Sequence, residues 1–255
     1  MTMDENQLGV SKLTHFYMST NNIYMIYKEA QLKGQTAPNL FDYLINRDKA
    51  LNMNELRYIA IDLMQSLQYL NNKGVAHLDL SPQNILVIYD FDKYNSEQSI
   101  GASPPRFLQI TNFSMSAGFY KKKFSTNKIS SFYFMAPERI LGELEKGTDQ
   151  AMTSCDIWSV GVILFMLMFG RCPFQGETNS MLVKSIKKAE LGFKQDQTDN
   201  PLINLIQRML QADPRARIDV AQALSCEFLT QDFEKDAQKL KKSNLARLKE
   251  FWCTA

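Results

Sequence analysis

The sequence predicts an α+β fold in which a small β element precedes a mainly helical domain. The segment KLTHFYMSTNNIYMIYKEA contains two β-rich runs separated by the polar residues 19–22, a pattern typical of an antiparallel hairpin. From Leu40 onward, apolar residues recur at helical spacing. The most apolar run, IWSVGVILFMLM at 157–168, is shorter than the ~20 residues of a membrane span and predicts a buried helix.

Composition limits the class of protein. The 255 residues include 29 Lys+Arg and 27 Asp+Glu, so a net charge of +2 gives no reason to expect nucleic acid or an acidic membrane as the main partner. Four cysteines without a C-x-x-C pair, and only two histidines, argue against a zinc site and a disulfide framework. The start, MTMDENQ, lacks the features of a secretory signal. We therefore expect a cytoplasmic protein, with association with the cytoskeleton as an open possibility.

The remaining elements follow from local signals. Residues 31–39 resemble a loop, and a long helix is expected after a cap at Asn52 or Asn54, ending at Gly74. The polar stretch 90–105 predicts a surface insertion, followed by a short strand at 107–110.

Five short motifs carry the functional argument. In order, they are HLDLSPQN at 77–84, NFS at 112–114, APE at 136–138, DIWSVG at 156–161 and DPRAR at 213–217. Each is weak alone, but this order and spacing resemble the second half of a protein kinase. Among protein kinases, the chain most resembles the calcium/calmodulin-dependent and calcium-dependent branch. The resemblance extends from about Leu13 to Leu229.

The resemblance implies a protein-kinase-like fold that consists mainly of the helical C-lobe. Residues 1–39 would form a truncated N-lobe, with only its last two strands and the hinge. Residues 40–229 would form the C-lobe, and residues 230–255 an amphipathic helical tail.

The resemblance also assigns five structural positions. Asp156, at the start of the central helix, would accept backbone N–H bonds and brace the catalytic loop. Glu138 and Arg217 would form an ion pair, for which Arg offers bidentate geometry. His77 and Phe113 would stack between the lobes.

Two catalytic positions of the family are retained. Asp79 matches the general base and Asn84 matches a magnesium ligand. A purely structural role is open for both: Asp79 as a capped loop residue and Asn84 through a loop hydrogen bond.

Other positions depart from the family. Leu78 replaces an Arg that reads the activation segment, Ser81 replaces a Lys that neutralises the transferred phosphoryl group, Asn112 replaces the metal-binding Asp, and Ser114 replaces a Gly. No counterpart of the Gly-rich loop, the strand Lys or the helix Glu is found.

These departures predict a catalytically inactive kinase homologue, or pseudokinase, that acts as a scaffold or structural subunit. We expect no cofactor and no metal. A protein partner would cover the edge of the hairpin and the groove floor near Leu86, Ile110 and Phe113. The alternative is a Ser/Thr protein kinase represented by an incomplete gene model, with ATP and magnesium as cofactors and Asn84 and Asn112 as metal ligands.

Two basic segments allow further interpretations. The tail, residues 230–255, either binds calmodulin or packs on its own C-lobe. Lys121–Lys123 either bind phosphates or acidic surfaces or form a solvated loop.

Overall fold

Four short strands begin the described part of the chain, strands and helices are mixed between residues 40 and 118, and α-helices follow from Pro137. The computed structural model describes residues 9–20, 22–47, 49–96, 106–118, 129–143, 149–193, 200–230, 246–247 and 250. The main elements are the strands β1 (Leu13–Met18), β2 (Ile23–Tyr27), β3 (Gln31–Leu32), β4 (Gln35–Thr36), β5 (Val75–Ala76), β6 (Ile85–Val87), β7 (Leu108–Ile110) and β8 (Ala117–Gly118), and the helices α1 (Leu40–Ile45), α2 (Met53–Asn72), α3 (Phe91–Ser96), α4 (Pro137–Ile140), α5 (Asp149–Phe169), α6 (Asn179–Lys188), α7 (Pro201–Met209), α8 (Val220–Leu224) and α9 (Glu227–Thr230).

The predicted hairpin is confirmed. Strands β1 and β2 pair antiparallel, and the turn is closed by a 2.8 Å bond from the Ser19 amide to the Asn22 carbonyl. The segment 31–39, expected to be a loop, contains a second small hairpin, β3–β4. Lys33 and Gly34 make its turn, and both have positive φ angles, which a two-residue hairpin loop of this kind requires.

The N-cap of helix α2 is Asn52 and not Asn54. The Asn52 side chain accepts a bond from the Glu55 amide, and the Glu55 carboxylate accepts one from the Asn52 amide, so that both ends of a capping box are present. The helix ends two residues before Gly74, whose φ of 68° is a left-handed conformation that favours glycine.

Helix α5 crosses the centre of the helical domain. It begins at Asp149, seven residues before Asp156, so the prediction that Asp156 starts this helix is wrong. The segment Met152–Phe169 is long and apolar enough to span a membrane by length and composition, but 83% of it is buried inside the protein, as in a core helix. Trp158 is fully buried and stacks on Phe174, with ring centroids 5.2 Å apart.

The predicted surface insertion at 90–105 is partly wrong. Its first residues enter the core, because Phe91 is fully buried and its ring stacks on that of Phe107, with a centroid distance of 4.4 Å. Asp90 is also buried and accepts a 3.1 Å bond from the Tyr43 hydroxyl. Residues 97–105 lie outside the described part.

The segment before β1 joins the hairpin to the helical domain. The Ile110 amide donates to the Gly9 carbonyl over 2.8 Å, and the Ser11 amide donates to the Ile110 carbonyl over 2.7 Å. Ile110 is therefore fully buried, and the expectation that it forms an open groove floor is wrong. The boundaries at residues 39 and 229 stay predictions. Lys121–Lys123 and nearly all of the tail lie outside the described residues.

Candidate functional site

A carboxylate of helix α5 holds the loop that follows β5. The Asp156 carboxylate accepts backbone bonds from His77 and Leu78, each 2.7 Å long. Leu78 has a φ of 65°, a strained conformation for a branched side chain, and these bonds help to hold it there. Burial raises the pKa of Asp156 to about 6, while the two backbone bonds oppose that rise. The bracing role expected for Asp156 is thus performed from inside the helix.

His77 is a buried, neutral imidazole. Its Nε2 lies 2.9 Å from the Thr111 carbonyl oxygen, and its Nδ1 accepts a 3.2 Å bond from the Asp79 amide. A carbonyl only accepts and an amide only donates, so the proton is on Nε2. Burial lowers the pKa of His77 to about 4. Its ring contacts that of Phe113, as the resemblance implies, but the two rings meet edge-on, with centroids 4.8 Å apart and planes at 71°, and do not stack.

Four polar side chains form a chain of hydrogen bonds, here called the amide chain: Ser114, Asn112, Asn84 and Asp79. The Ser114 hydroxyl donates to Asn112 Oδ1 over 2.8 Å, and Asn112 Nδ2 donates to Asn84 Oδ1 over 2.9 Å. Asn84 Nδ2 then donates to the Asp79 carbonyl over 2.7 Å and to Asp79 Oδ2 over 3.2 Å. The structure therefore joins four of the six predicted catalytic and substituted positions.

The amide chain is a poor fit for magnesium. In the kinase resemblance, residues 84 and 112 would hold the metal, but here both supply neutral amide oxygens. Each of these oxygens already accepts a hydrogen bond. Magnesium is usually held by one or two carboxylates plus phosphates, in strict octahedral geometry. Asp79 carries the one carboxylate of the amide chain. Within the described residues, no group of three or more His, Cys, Asp or Glu side chains could hold a metal ion.

The two other substituted positions bring no charge to the loop. Leu78 is buried and apolar. Ser81 is also buried, and its hydroxyl does not cap the short helix that begins at Pro82. Positions 78 and 81 therefore supply none of the positive charge that the family would place beside Asp79.

Arg139 is a cationic residue that the motifs did not predict, and it differs in position from the Arg and Lys that the family has at 78 and 81. It is buried, and its Nε has no hydrogen-bond partner in the part of the chain that the structure describes. Burial lowers the pKa of Arg139, and the negative charges of Asp79 and Asp156 oppose that decrease. The one signal in the sequence that could have indicated Arg139 was its position directly after Glu138, the last residue of the A-P-E motif.

Tyr27 is a second residue that the motifs did not predict. Burial raises the pKa of its hydroxyl, and the Phe113 backbone amide lies close enough to lower it partly. The last residue of β2 therefore lies near Phe113, the middle residue of the NFS motif. An aromatic residue at the end of the second strand was the only hint in the sequence.

The expected pair between Arg217 and Glu138 is present and buried. Arg217 Nη1 lies 2.7 Å from Glu138 Oε1, and Nη2 lies 3.0 Å from Oε2, a bidentate geometry. The guanidinium also lies over the Trp158 ring, 5.1 Å from its centroid. This pair ties helix α4 to the loop before α8.

A comparison with protein families identifies the family of this chain. A family model of the protein kinase domain matches residues 4–229. This chain belongs to the protein kinase family. It is 28% identical over 234 residues to calcium-dependent protein kinase 4 of Plasmodium falciparum, an alignment that covers 91% of this chain and 40% of that protein. It is 29% identical over 196 residues to serine/threonine-protein kinase 33 of Bos taurus, covering 73% of this chain and 37% of the relative.

Solved kinase structures share the fold. The twitchin kinase region from C. elegans has a TM-score of 0.73 at 20% identity, covering 96% of this chain and 40% of the other. The Rad53 kinase domain has a TM-score of 0.63 at 21% identity, covering 95% of this chain and 80% of the other. The resemblance to calcium-dependent kinases and the α+β, kinase-like fold are confirmed. The chain spans about 40% of the length of the curated relatives it matches.

Proposed function

We propose that this kinase family member is a pseudokinase that acts as a scaffold or structural subunit of a protein assembly. The amide chain is the observation that carries the proposal. Asn112 and Asn84 are bonded to each other at the positions where the family holds a metal ion. This contact supports the proposal that the site is stable without magnesium or nucleotide.

The chemistry of phosphoryl transfer supports the same conclusion. The reaction depends on positioned phosphates, metal ions and cations that stabilise the transferred group. Removal of one such contact typically costs ~10²–10³ in rate. Leu78, Ser81 and Asn112 remove three charges around Asp79 at once. We therefore expect no cofactor and no transfer above background.

Arg139 does not replace these cations. Its charge is offset by two carboxylates, Asp79 and Asp156, and its side chain is buried. A guanidinium in that position balances the charge of the loop, whereas a residue that neutralises a transferred phosphate must face the substrate.

The scaffold part of the proposal is supported by the surface of the hairpin, which exposes large apolar side chains such as Phe16 and Met18. A patch of that kind usually marks a protein partner. We propose a cytoplasmic assembly, and calmodulin binding by residues 230–255 stays a prediction.

An active Ser/Thr protein kinase is the second candidate, favoured by one observation. Asp79 and Asn84 are both retained, and Asn84 holds the Asp79 carboxylate in place. In that case Asp79 would be the general base, and transcripts extending upstream of Met1 would encode a Gly-rich loop and a strand Lys.

A radiolabelled phosphotransfer assay separates the two candidates. The purified chain is incubated with ATP, magnesium and a general protein substrate, beside the Asp79→Asn variant and an active calcium-dependent protein kinase that proves the assay. We expect the wild-type chain and the variant to give the same background signal. Stoichiometric transfer by the wild type that is lost in the variant would overturn the pseudokinase proposal.

A further inference from the structure

The β3–β4 hairpin sets the path of the chain where it leaves β2. Its strands have two residues each, and so short a hairpin is marginally stable without contacts from outside it. Its base is closed by a 2.9 Å bond from the Ala37 amide to the Ala30 carbonyl, and Ala30 follows the end of β2 at Tyr27 by three residues. Whatever fixes the β3–β4 hairpin therefore also fixes the segment that enters it from β2.

The tip of this hairpin carries a cation that contacts the helical domain. Lys33, one of the two turn residues, forms an ion pair with Asp90, the residue before α3. The Lys33 side chain is 68% exposed, whereas that of Asp90 is 9% exposed. Asp90 Oδ2 faces Lys33, and Asp90 Oδ1 accepts bonds from the Tyr43 hydroxyl over 3.1 Å and from the Asp92 amide over 2.9 Å. Loss of Lys33 would therefore not leave the Asp90 carboxylate without hydrogen bonds.

The residues that follow Asp90 are held by buried contacts. Asp92 Oδ1 accepts a 2.7 Å bond from Arg47 Nη2, and the same guanidinium donates to the Glu55 carboxylate over 2.5 and 3.1 Å. The side chains of Arg47 and Glu55 are 6% and 1% exposed. To break a buried pair of this kind costs several times as much as to break an exposed one. Asp90 is therefore held in a fixed position, and the exposed Lys33 is the partner that can leave.

We propose that Lys33 and Asp90 form a salt-sensitive latch, which opens without unfolding of the helical domain and releases the β3–β4 hairpin. With the latch closed, the hairpin is held at its tip as well as at its base. With the latch open, the tip is released and the bond between Ala37 and Ala30 opens more often. The charge of Lys33 controls the latch, so high ionic strength, or a modification that neutralises this amine, would open it.

Hydrogen exchange of the Ala37 amide, followed by NMR on the purified chain, measures the opening of the latch. The exchange rate follows the population of the open form. Lys33→Gln should speed exchange about fivefold, the upper range for a pair with one exposed partner. Lys33→Arg should keep the wild-type rate, because it retains the charge. Lys28→Gln removes the same charge at a nearby exposed position outside the ion pair, so it is the matched control and should exchange like the wild type.

Salt and a second variant separate the ion pair from other roles of these side chains. Sodium chloride at about 1 M, where the Debye length is about 3 Å, should speed exchange of Ala37 in the wild type and have no further effect on Lys33→Gln. Asp90→Asn keeps an oxygen that accepts from Tyr43 and Asp92 but removes the charge, so it should also speed exchange. The double variant should exchange no faster than either single variant, because both lose the same contact. The urea midpoint of Lys33→Gln should equal that of the wild type.

Three outcomes would overturn the inference. The first is a Lys33→Gln variant in which Ala37 exchanges at the wild-type rate. The second is a double variant in which the effects of the two single changes add. The third is faster exchange that extends to the core amides of α2, which would show global unfolding in place of local opening. The latch does not depend on the proposed function, because it is compatible with a pseudokinase and with an active kinase.

Discussion

Asn112 donates a 2.9 Å hydrogen bond to the side-chain oxygen of Asn84, 28 residues earlier in the chain. In the family these positions hold a metal ion between two oxygens, and under the proposed function this N–H···O bond would take the place of that ion. The replacement is neutral and directional, and it works only while residue 112 carries an amide. The Ser114 hydroxyl supports it by donating to the other side of the same amide.

The first prediction follows from that bond. Asn112→Asp removes the donor that faces Asn84 Oδ1 and adds a negative charge near Asp79. We expect the free energy of unfolding to fall by about 1 kcal/mol without divalent ions. Magnesium should raise the melting temperature of the variant and leave that of the wild type unchanged. Asn46→Asp makes the same change at an exposed position and should not respond to magnesium. A magnesium-dependent shift in the wild type would contradict this prediction.

Local sequence signals were sufficient for elements that are stabilised locally. The hairpin followed from two β-rich runs around a polar turn, and helix α2 followed from a capping asparagine, Asn52 or Asn54, and the apolar repeat. Both have short-range stabilising contacts, a capping box in one case and a closed turn in the other. The start of α5 was missed because its first turns are polar and the prediction rested on the apolar run from Ile157.

Long-range contacts explain the other differences. Phe91 is buried because a ring 16 residues later, Phe107, stacks on it, and no local pattern records that pairing. Burial lowers the pKa of Arg139, and the two carboxylates that oppose this decrease, Asp79 and Asp156, are distant in the sequence. The identity of the site residues was visible in the motifs. The direction of the hydrogen bonds between these residues could not be predicted, because it depends on how the amide groups are oriented toward each other.

His77 should make stability depend on pH. Burial lowers its pKa from 6.5 to about 4. Between these values the unfolded chain binds more protons than the folded one, so stability decreases as pH falls. The loss should reach about 3 kcal/mol. Urea denaturation of the wild type and His77→Phe at several pH values between 4 and 7 measures it.

The His77→Phe variant should show a shallower loss on acidification over this range. The pKa of Asp62 and that of Asp156 are both raised to about 6 by burial, which acts in the opposite direction, because stability then falls as pH rises from about 4 to 6. These carboxyls are present in both proteins and largely cancel in the comparison. Equal slopes for the two proteins would show that folding leaves the pKa of His77 unchanged.

Arg217 should be among the most sensitive positions for stability. Arg217→Met leaves the Glu138 carboxylate buried without its bidentate partner, and such a loss typically costs about 3–5 kcal/mol. Arg217→Lys should recover little, because a compact ammonium cannot bond both carboxylate oxygens in the same plane. Chemical denaturation measures both. Arg215→Met, which removes an exposed pair with Asp213, should cause no measurable change. Full stability of Arg217→Lys would show that charge alone matters here.

Gly9 should control how the hairpin is attached to the helical domain. Its φ is +64°, and a Cβ atom there would lie 2.1 Å from Ser66 Oγ and 2.5 Å from Arg106 Nη1. Arg106 donates to the Asp62 carbonyl over 3.0 Å and to Ser66 Oγ over 3.2 Å, so a methyl group would displace a bonded guanidinium. We expect Gly9→Ala to lower stability and to speed amide hydrogen exchange in β1 and β2.

The control for this change is Gly34→Ala. Gly34 also has a positive φ, +75°, but a Cβ atom there would meet nothing within 4 Å, so only the backbone strain of about 1 kcal/mol applies. The difference between the two variants isolates the steric contact at Gly9. If both lose the same stability and exchange in the hairpin is unchanged, the bonds of Gly9 and Ser11 with Ile110 are enough to attach the hairpin. If Gly9→Ala alone accelerates exchange there, the close approach of Gly9 to Ser66 and Arg106 sets the position of the hairpin, and with it the position of Tyr27 above the NFS motif.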